Sequence, residues 1–245
     1  MLLQNRQETE LDMSSKPYVV LLGDVGSGKS TIVEKLTGQK GRSSAASQSE
    51  TLTADVFETY DGSLIIADTP GSNAMADQFT HNLHIANAMN FLPVTCILIV
   101  VKAEERMDNV IKCVCNYAQG FIPEDIPTDL IAVCVTHMDT VSWKERDMLE
   151  HFNHELNIET AIFCSKETRG NDLKDSMLNE CSRRQQFTLN VDGEMFLKLF
   201  NLEIADMKML VEVRREVRTI EKMNEDFEKQ RGHHSKHMME LVFEF

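Results

Sequence analysis

The chain has 245 residues, of which 42% are hydrophobic and 26% charged, and its formal net charge is −14. This length and composition fit one large globular domain, or one domain with an appended element. The acidic balance argues against DNA or RNA as a partner, because nucleic-acid binders neutralise phosphates with Lys and Arg.

Cysteines and apolar runs bear on the compartment of the protein. The six cysteines form no CxxC pair, and the polar segment 1–15 lacks the apolar core of a signal peptide. The longest apolar run covers 94–101, far short of the roughly 18 residues that a membrane-spanning helix needs. We therefore expect a cytoplasmic protein with reduced thiols and no integral membrane segment.

Up to residue 165 the chain alternates between continuous apolar runs and helical stretches. The runs are PYVVLLG (17–23), SLIIADT (63–69), VTCILIVV (94–101), DLIAVCVTH (129–137) and TAIFCS (160–165). The helical stretches cover 77–91, 104–119 and 142–156. Continuous apolar runs are typical of strands buried on both faces, so the alternation predicts a doubly wound, mostly parallel α/β fold. The segment DVFETYDGSLIIA (55–67) alternates instead and contains an Asp-Gly turn, which predicts a hairpin.

The chain changes character after about residue 170, where strand patterns become scarce and charge rises. We expect a flexible N-terminus over 1–15, one domain over 16–185 and a helical C-terminal extension over 186–245. Positions of the extension that step by three and four form a seam with one Asn: Leu210, Val213, Val217, Ile220, Asn224 and Phe227. This seam fits either a short coiled coil or a helix lying on its own domain. The His-rich segment HHSKH (233–237) either binds a metal or is solvated.

The segment GDVGSGKST (23–31) matches the phosphate-binding pattern G-x-x-x-x-G-K-[ST] and lies between an apolar strand and a helix. Its glycines allow successive backbone N–H groups to face a phosphate, and the helix start adds partial positive charge. We expect the ammonium of Lys29 to reach the β- and γ-phosphates and the hydroxyl of Ser30 to bind Mg²⁺. The predicted phosphate-contacting residues are Val25, Gly26, Ser27, Gly28, Lys29, Ser30 and Thr31. The alternative is a glycine-rich turn that binds no ligand.

The segment IIADTPG (65–71) ends a second apolar run with an acidic residue, Asp68. An acid in that place holds Mg²⁺ in P-loop nucleotide hydrolases. Gly71 can bring its N–H close to a γ-phosphate because it has no side chain. Residues 71–80 are therefore a candidate for a segment that senses the bound nucleotide.

The segment VTHMD (135–139) follows another apolar run, at the strand end where open α/β sheets bind their ligands. The carboxylate of Asp139 can accept two hydrogen bonds from the N1–H and amino groups of guanine, a pair that adenine does not offer. A metal site is the alternative use of His137 and Asp139, but it needs a further ligand, and the sequence supports none. Cys113 and Cys115 are a second metal candidate, although we expect them on a helix, where they point in different directions.

The four motifs GDVGSGKST, DTPG, THMD and CSK, in this order, resemble those of the GTPases of the translation-factor-related class. DTPG and the Thr-basic-x-Asp form are similar to the septin-like branch, which includes the immunity-associated nucleotide-binding GTPases and the chloroplast protein-import receptor GTPases. The likeness covers 17–185. It implies a P-loop GTPase fold that binds Mg²⁺ with GTP or GDP and that often dimerises across the nucleotide.

The resemblance also implies roles for residues of the two base-reading segments. Thr136 and His137 stand where GTPases carry Asn or Thr and then Lys. Ser165 and Lys166 match the last motif, whose backbone contacts the guanine carbonyl.

Two features depart from the pattern of the family. The switch threonine, which senses Mg²⁺ and the γ-phosphate, is Thr51 from its position before the hairpin, with Thr53 as the alternative. Ser72 follows the DTPG motif where Ras-like GTPases carry Gln, and Ser is too short to orient the attacking water. We therefore expect slow hydrolysis, with the missing group supplied by a partner, by a dimer or by Arg42.

Three functions fit this set of motifs. The first is a nucleotide switch with slow, Mg²⁺-dependent GTP hydrolysis, in which Lys29, Thr51 and Gly71 are catalytic and Ser30, Thr51 and Asp68 bind the metal. The second is a GTP-gated scaffold that oligomerises, through a homodimer across the nucleotide face or through a helix-mediated protein partner at 210–227. The third is an ATPase or a small-molecule kinase, against which THMD followed by CSK argues.

Overall fold

The computed structural model describes residues 15–39, 54–71, 78–121, 127–189 and 191. The predicted N-terminal segment up to residue 14 and the extension beyond residue 191 lie outside these ranges. The seam at 210–227 and the His-rich segment lie outside them as well.

The described ranges form a six-stranded sheet with helices between the strands. The strands are β1 (Tyr18–Leu22), β2 (Asp55–Glu58), β3 (Ile65–Asp68), β4 (Cys96–Lys102), β5 (Ile131–Thr136) and β6 (Ala161–Phe163). The helices are α1 (Lys29–Thr37), α2 (Gln78–Phe91), α3 (Met107–Phe121), α4 (Glu145–Leu156) and α5 (Gly170–Ser182). Short 3₁₀ turns precede and follow β5, at Thr128–Leu130 and Met138–Thr140.

The strand order is β2-β3-β1-β4-β5-β6. Only the β2–β3 pair is antiparallel, with Asp55 opposite Asp68, while the other four pairings are parallel. The carboxyl ends of β1, β3, β4, β5 and β6 therefore meet at one edge of the sheet, which is where a doubly wound fold binds its ligand.

Apolar side chains on the two faces of the sheet form two cores. One face, with Val19 and Leu21 of β1, packs against Ile32 of α1 and Leu173 and Met177 of α5. The opposite face, with Val20 of the same strand, packs against α2, α3 and α4. Successive residues of β1 are thus buried on alternate sides, which explains why this strand has no charged position.

The mostly parallel α/β fold predicted from the apolar runs is confirmed. The hairpin at 55–67 is β2 and β3, joined by a turn in which Gly62 has φ 66°. The helix predicted after the phosphate-binding motif is α1. The helices predicted at 77–91, 104–119 and 142–156 are α2, α3 and α4, with α3 and α4 each beginning three residues later than expected. Helix α5 was not predicted.

The chain after α5 returns to the start of β4. Phe187 and Val94 exchange two backbone hydrogen bonds of 2.8 Å. Leu189 and Val191 are buried in the core that contains α2. The side chain of Asn90 holds the backbone of Val191 through bonds of 3.0 and 2.8 Å.

The described ranges contain all six cysteines of the chain and the helices α1 to α5. All six cysteines are free thiols, and Cys113 and Cys115 lie on α3, as expected. In this part of the chain, no helix is long and apolar enough to cross a membrane.

Candidate nucleotide-binding site

The loop between β1 and α1, residues 23–28, curls around the ammonium group of Lys29. Lys29 is buried, and its Nζ donates to the carbonyl oxygens of Gly23 at 2.7 Å and Asp24 at 3.0 Å. Gly28 caps α1 with φ 100°, a left-handed conformation that other residues rarely adopt. No side chain caps this helix start, so its first N–H groups and partial positive charge suit an anion.

The charge state of Lys29 depends on its surroundings. Burial lowers the pKa of Lys29 to about 8, while the negative charges of Asp68 and Asp24 oppose this shift. The buried ammonium is thus less stabilised than an ordinary lysine, and an added anion would stabilise it further.

Asp68 and Gly71 meet the phosphate-binding loop from β3. Asp68 ends β3, is fully buried, and acts electrostatically on Lys29. Gly71 lies so close to the loop that a Cβ on it would be 2.5 Å from the backbone nitrogen of Val25. Ser30 lies in the first turn of α1. The structure thus brings together the predicted phosphate and Mg²⁺ residues of two motifs.

Thr136 at the end of β5 ties the base-reading segment to the phosphate-binding loop. Its buried hydroxyl is 2.7 Å from the carbonyl oxygen of Ser27 and 3.2 Å from that of Val101. The same hydroxyl is 2.8 Å from Nδ1 of His137. These contacts support a role for Thr136 in holding the loop.

His137 begins the 3₁₀ turn after β5 in a left-handed conformation, φ 57° and ψ 31°. Such a conformation is uncommon outside glycine and is concentrated at functional sites. Burial lowers the pKa of His137, and the charge of Lys102 lowers it further, against the effect of Asp139. The ring is therefore neutral at pH 7, which suits a flat contact with a base better than an ion pair.

Asp139 and the segment after β6, which the sequence predicts to read the base, lie in contact with each other. The exposed carboxylate of Asp139 accepts a hydrogen bond of 3.1 Å from the backbone N–H of Lys166. This bond lowers the pKa of Asp139, so the side chain is ionised and acts as an acceptor at neutral pH. Ser165 precedes Lys166 and bonds to Thr168, its backbone N–H lying 2.8 Å from the Thr168 hydroxyl.

Four side chains that the sequence did not predict as nucleotide-site residues also take part in contacts with these loops. The carboxylate of Asp24, in the phosphate-binding loop, accepts a bond of 2.6 Å from the hydroxyl of Tyr117 and one of 3.6 Å from the thiol of Cys113. Both partners lie on α3. Burial and the nearby charge of Asp24 raise the pKa of Cys113 to about 12, so this thiol stays protonated. Lys35, on α1, contacts the segment after β6.

The remaining site predictions lie outside the described ranges. These are Thr51, Thr53, Arg42 and Ser72, with the first residues of the candidate sensing segment at 72–77. Within the described ranges, no group of three or more His, Cys, Asp or Glu residues is placed to hold a metal ion.

A family model described as "50S ribosome-binding GTPase" matches residues 18–135, just under half of the chain. The matched segment runs from β1 to β5 and contains the phosphate-binding loop and the DTPG motif. Together with the fold, this match shows that residues 18–135 are similar to P-loop GTPase domains. The chain has no match among curated protein sequences.

Solved structures of GTPase domains are similar in fold. Era, in complex with MgGDPNP and part of 16S ribosomal RNA, is 16% identical with a TM-score of 0.53, and the match covers 71% of this chain and 58% of that one. An S. thermophilus NFeoB mutant bound to GDP and AlF₄⁻ is 13% identical with a TM-score of 0.51, covering 84% and 91%. Another NFeoB mutant from S. thermophilus, bound to GMPPNP, is 17% identical with a TM-score of 0.49, covering 68% and 63%. The chain thus spans less than two thirds of Era and of this last structure, and at these identities the likeness shows the fold alone.

Proposed function

We propose that this chain is a guanine-nucleotide switch that hydrolyses GTP slowly with Mg²⁺. The observation that carries this proposal is the linkage of three loops at the carboxyl edge of the sheet. Thr136 joins the loop of Lys29 to β5, and the backbone of Lys166 joins the loop after β6 to Asp139. A nucleotide with phosphates and a guanine base would contact all three loops.

At the phosphate end, Lys29 and the backbone N–H groups of residues 25–31 would bind the β- and γ-phosphates. The hydroxyl of Ser30 and the buried carboxylate of Asp68 fit Mg²⁺, which prefers oxygen ligands and keeps several waters. Bound Mg²⁺ would neutralise charge on the phosphate oxygens. Thr51 is proposed as a further ligand from the sequence alone.

At the base end, Asp139 would accept hydrogen bonds from the N1–H and the amino group of guanine. Ser165 and Lys166 would contact the guanine carbonyl through their backbone, and His137 would place its neutral ring against the purine. Thr136 would act by fixing the loop of Ser27 in place. Adenine offers an acceptor at N1 and therefore cannot satisfy an ionised carboxylate there.

The first prediction concerns base choice by Asp139. In the Asp139→Asn variant we expect GTP affinity to fall by roughly tenfold or more, because charge-assisted hydrogen bonds are lost. Xanthosine triphosphate should gain affinity, since its carbonyl can accept a bond from the new amide. Equilibrium binding of GTP, ATP and xanthosine triphosphate to both proteins measures the change.

Asp129→Asn is the matched control, because Asp129 lies in the 3₁₀ turn at the opposite end of β5. This variant should bind all three nucleotides as the wild type does. Equal affinity of the wild type for ATP and GTP would contradict the proposal that this site selects guanine.

Hydrolysis would proceed by in-line attack of water on the γ-phosphate. Lys29 and the N–H of Gly71 would stabilise the charge that develops on the phosphate oxygens. Ser72, which follows Gly71, is too short to orient the water as Gln does in Ras-like proteins.

The second prediction is therefore a slow intrinsic reaction. Single-turnover hydrolysis of GTP at nanomolar protein should have a rate constant on the order of 10⁻³ s⁻¹ or below, as for unassisted GTPases of this type. Lys29→Ala should abolish it, which assigns the activity to this site. Fast turnover at nanomolar protein would contradict the proposal. A rate that rises with protein concentration would indicate that a second copy supplies the missing group.

Three finer points of the proposal rest on the sequence. DTPG and THMD support placement in the septin-like branch, and the six free thiols support a cytoplasmic protein. GTP-gated assembly, whether as a homodimer or through the seam at 210–227, stays a prediction. Mass measured with GDP and with a non-hydrolysable GTP analogue tests it.

A further inference from the structure

Lys35 fastens the loop after β6 to the phosphate-binding helix. This half-buried residue lies in the last turn of α1. Its Nζ donates to the carbonyl oxygens of Ser165 at 3.0 Å, Lys166 at 2.9 Å and Thr168 at 2.7 Å. An ammonium group has three N–H donors, and all three are bonded here to carbonyl oxygens of a single short loop.

The bond to Ser165 fixes the direction of the next amide. In a trans peptide the carbonyl of one residue and the N–H of the next point in opposite directions. Because the Ser165 carbonyl points to α1, the Lys166 N–H points away from α1. This N–H donates to Oδ1 of Asp139 at 3.1 Å. A continuous chain of bonds therefore runs from α1 to the carboxylate that would read the base.

The chain beyond the loop also lies directly on α1. A Cβ on Gly170 would be 2.1 Å from the carbonyl oxygen of Lys35, so only glycine allows this approach. Within the loop, the Glu167 N–H donates to the hydroxyl of Ser165 at 3.3 Å, so the turn is bonded internally as well. The loop is thus bonded both within itself and to α1, and Lys35 supplies the charged contact with the helix.

We propose that Lys35 is a positioning residue for base specificity. It holds the loop at 165–168 so that the Lys166 amide and the Asp139 carboxylate keep the geometry that separates guanine from adenine. It makes no contact with the base itself, and it acts through those two groups. This inference rests on the proposed guanine-nucleotide function.

The test is the ratio of affinities for GDP and ADP, measured by competition against a fluorescent guanine nucleotide. Diphosphates are used so that hydrolysis does not intervene. Lys35→Met removes the three charge-assisted bonds with little change in side-chain length. We expect the preference for GDP over ADP to fall by about tenfold, through weaker GDP binding, while ADP affinity stays unchanged.

Two further variants separate positioning from general stability. Lys174→Met removes the ion pair of Lys174 with Asp61, at the tip of the β2–β3 hairpin. It should leave the preference for GDP unchanged. Lys35→Arg keeps the charge but has a planar group that cannot direct its donors at the same three carbonyls, so it should have an intermediate preference. It also carries the test if Lys35→Met fails to fold, which thermal unfolding will show.

The outcomes distinguish this inference from the proposed function. A wild type that binds ADP as well as GDP overturns the guanine site and the role of Lys35 with it. A wild type that prefers GDP, with Lys35 variants that keep the same ratio, overturns the role of Lys35 alone. Equal losses of GDP and ADP affinity in Lys35→Met would also overturn it, since they indicate a merely structural contact.

Discussion

At the scale of single residues, the fold changes the acid–base chemistry of Lys29 in the phosphate-binding loop. Its ammonium is buried among carbonyl groups of its own loop, and burial lowers its pKa to about 8. In the free protein this lysine therefore loses its proton near pH 8. Phosphate oxygens at the same place would favour the charged form and raise the pKa again.

The third prediction follows from this difference in the pKa of Lys29 between the free protein and its nucleotide complex. Since the complex holds the proton that the free protein partly loses, nucleotide binding at pH 8 should take up roughly half a proton. The affinity for GDP should then fall as the pH rises above about 8. Calorimetric titration with GDP at pH 8, in two buffers with different ionisation enthalpies, measures the uptake. Binding with no uptake of protons would show that Lys29 remains charged in the free protein.

At the scale of elements, the apolar runs predicted the sheet because burial on both faces leaves a signal in each strand. Helix α5 leaves almost no such signal in its sequence. Its sequence GNDLKDSMLNECS is mostly polar, and its buried apolar residues are Leu173, Met177 and Cys181, one per turn. Three apolar residues are enough to cover one side of α1. They are too few to give the sequence a recognisable helical periodicity.

The contacts between elements were less predictable than the elements themselves. The motifs with Lys29, Asp68 and Asp139 could be placed in advance because parallel strands bring their carboxyl ends together. The bond between Asp24 and Tyr117 joins residues 93 positions apart, and no local pattern marks either of them. The same holds for Lys35 and the loop after β6. Such contacts depend on how helices lie on the sheet, which the sequence pattern of each helix does not specify.

The link between Asp24 and α3 has a consequence for the phosphate-binding loop. A carboxylate in this loop would repel phosphates, because like charges disfavour each other at short range. The Tyr117 hydroxyl and the Cys113 thiol bind the Asp24 side chain at the side of α3. Helix α3 thus binds the side chain of Asp24, the one acidic residue of the loop. The backbone carbonyl of Asp24 still accepts a hydrogen bond from Lys29.

At the scale of the whole molecule, the boundary of the domain is the main question. The expected boundary at residue 185 stays a prediction, and the contacts beyond it support a later one. Phe187 pairs with Val94, Leu189 and Val191 are 5% and 0% exposed, and Asn90 holds the backbone of Val191. These residues close the core beside α2, so we propose that the domain extends at least to Val191.

A pair of truncations tests this placement. A chain that ends after Val191 should retain the free energy of unfolding of the domain. A chain that ends after Gln185 should lose roughly 3 kcal/mol or more, because burying a Leu or Val side chain contributes about 1.5–3 kcal/mol and two such side chains are removed. Urea unfolding followed by circular dichroism measures the difference. Because the nucleotide loops lie at the carboxyl edge of the sheet and this segment pairs with residues before β4, GDP affinity should be the same in both chains wherever they are folded. Equal unfolding midpoints for the two truncated chains would show that residues 186–191 do not stabilise the domain, and would support the boundary at residue 185.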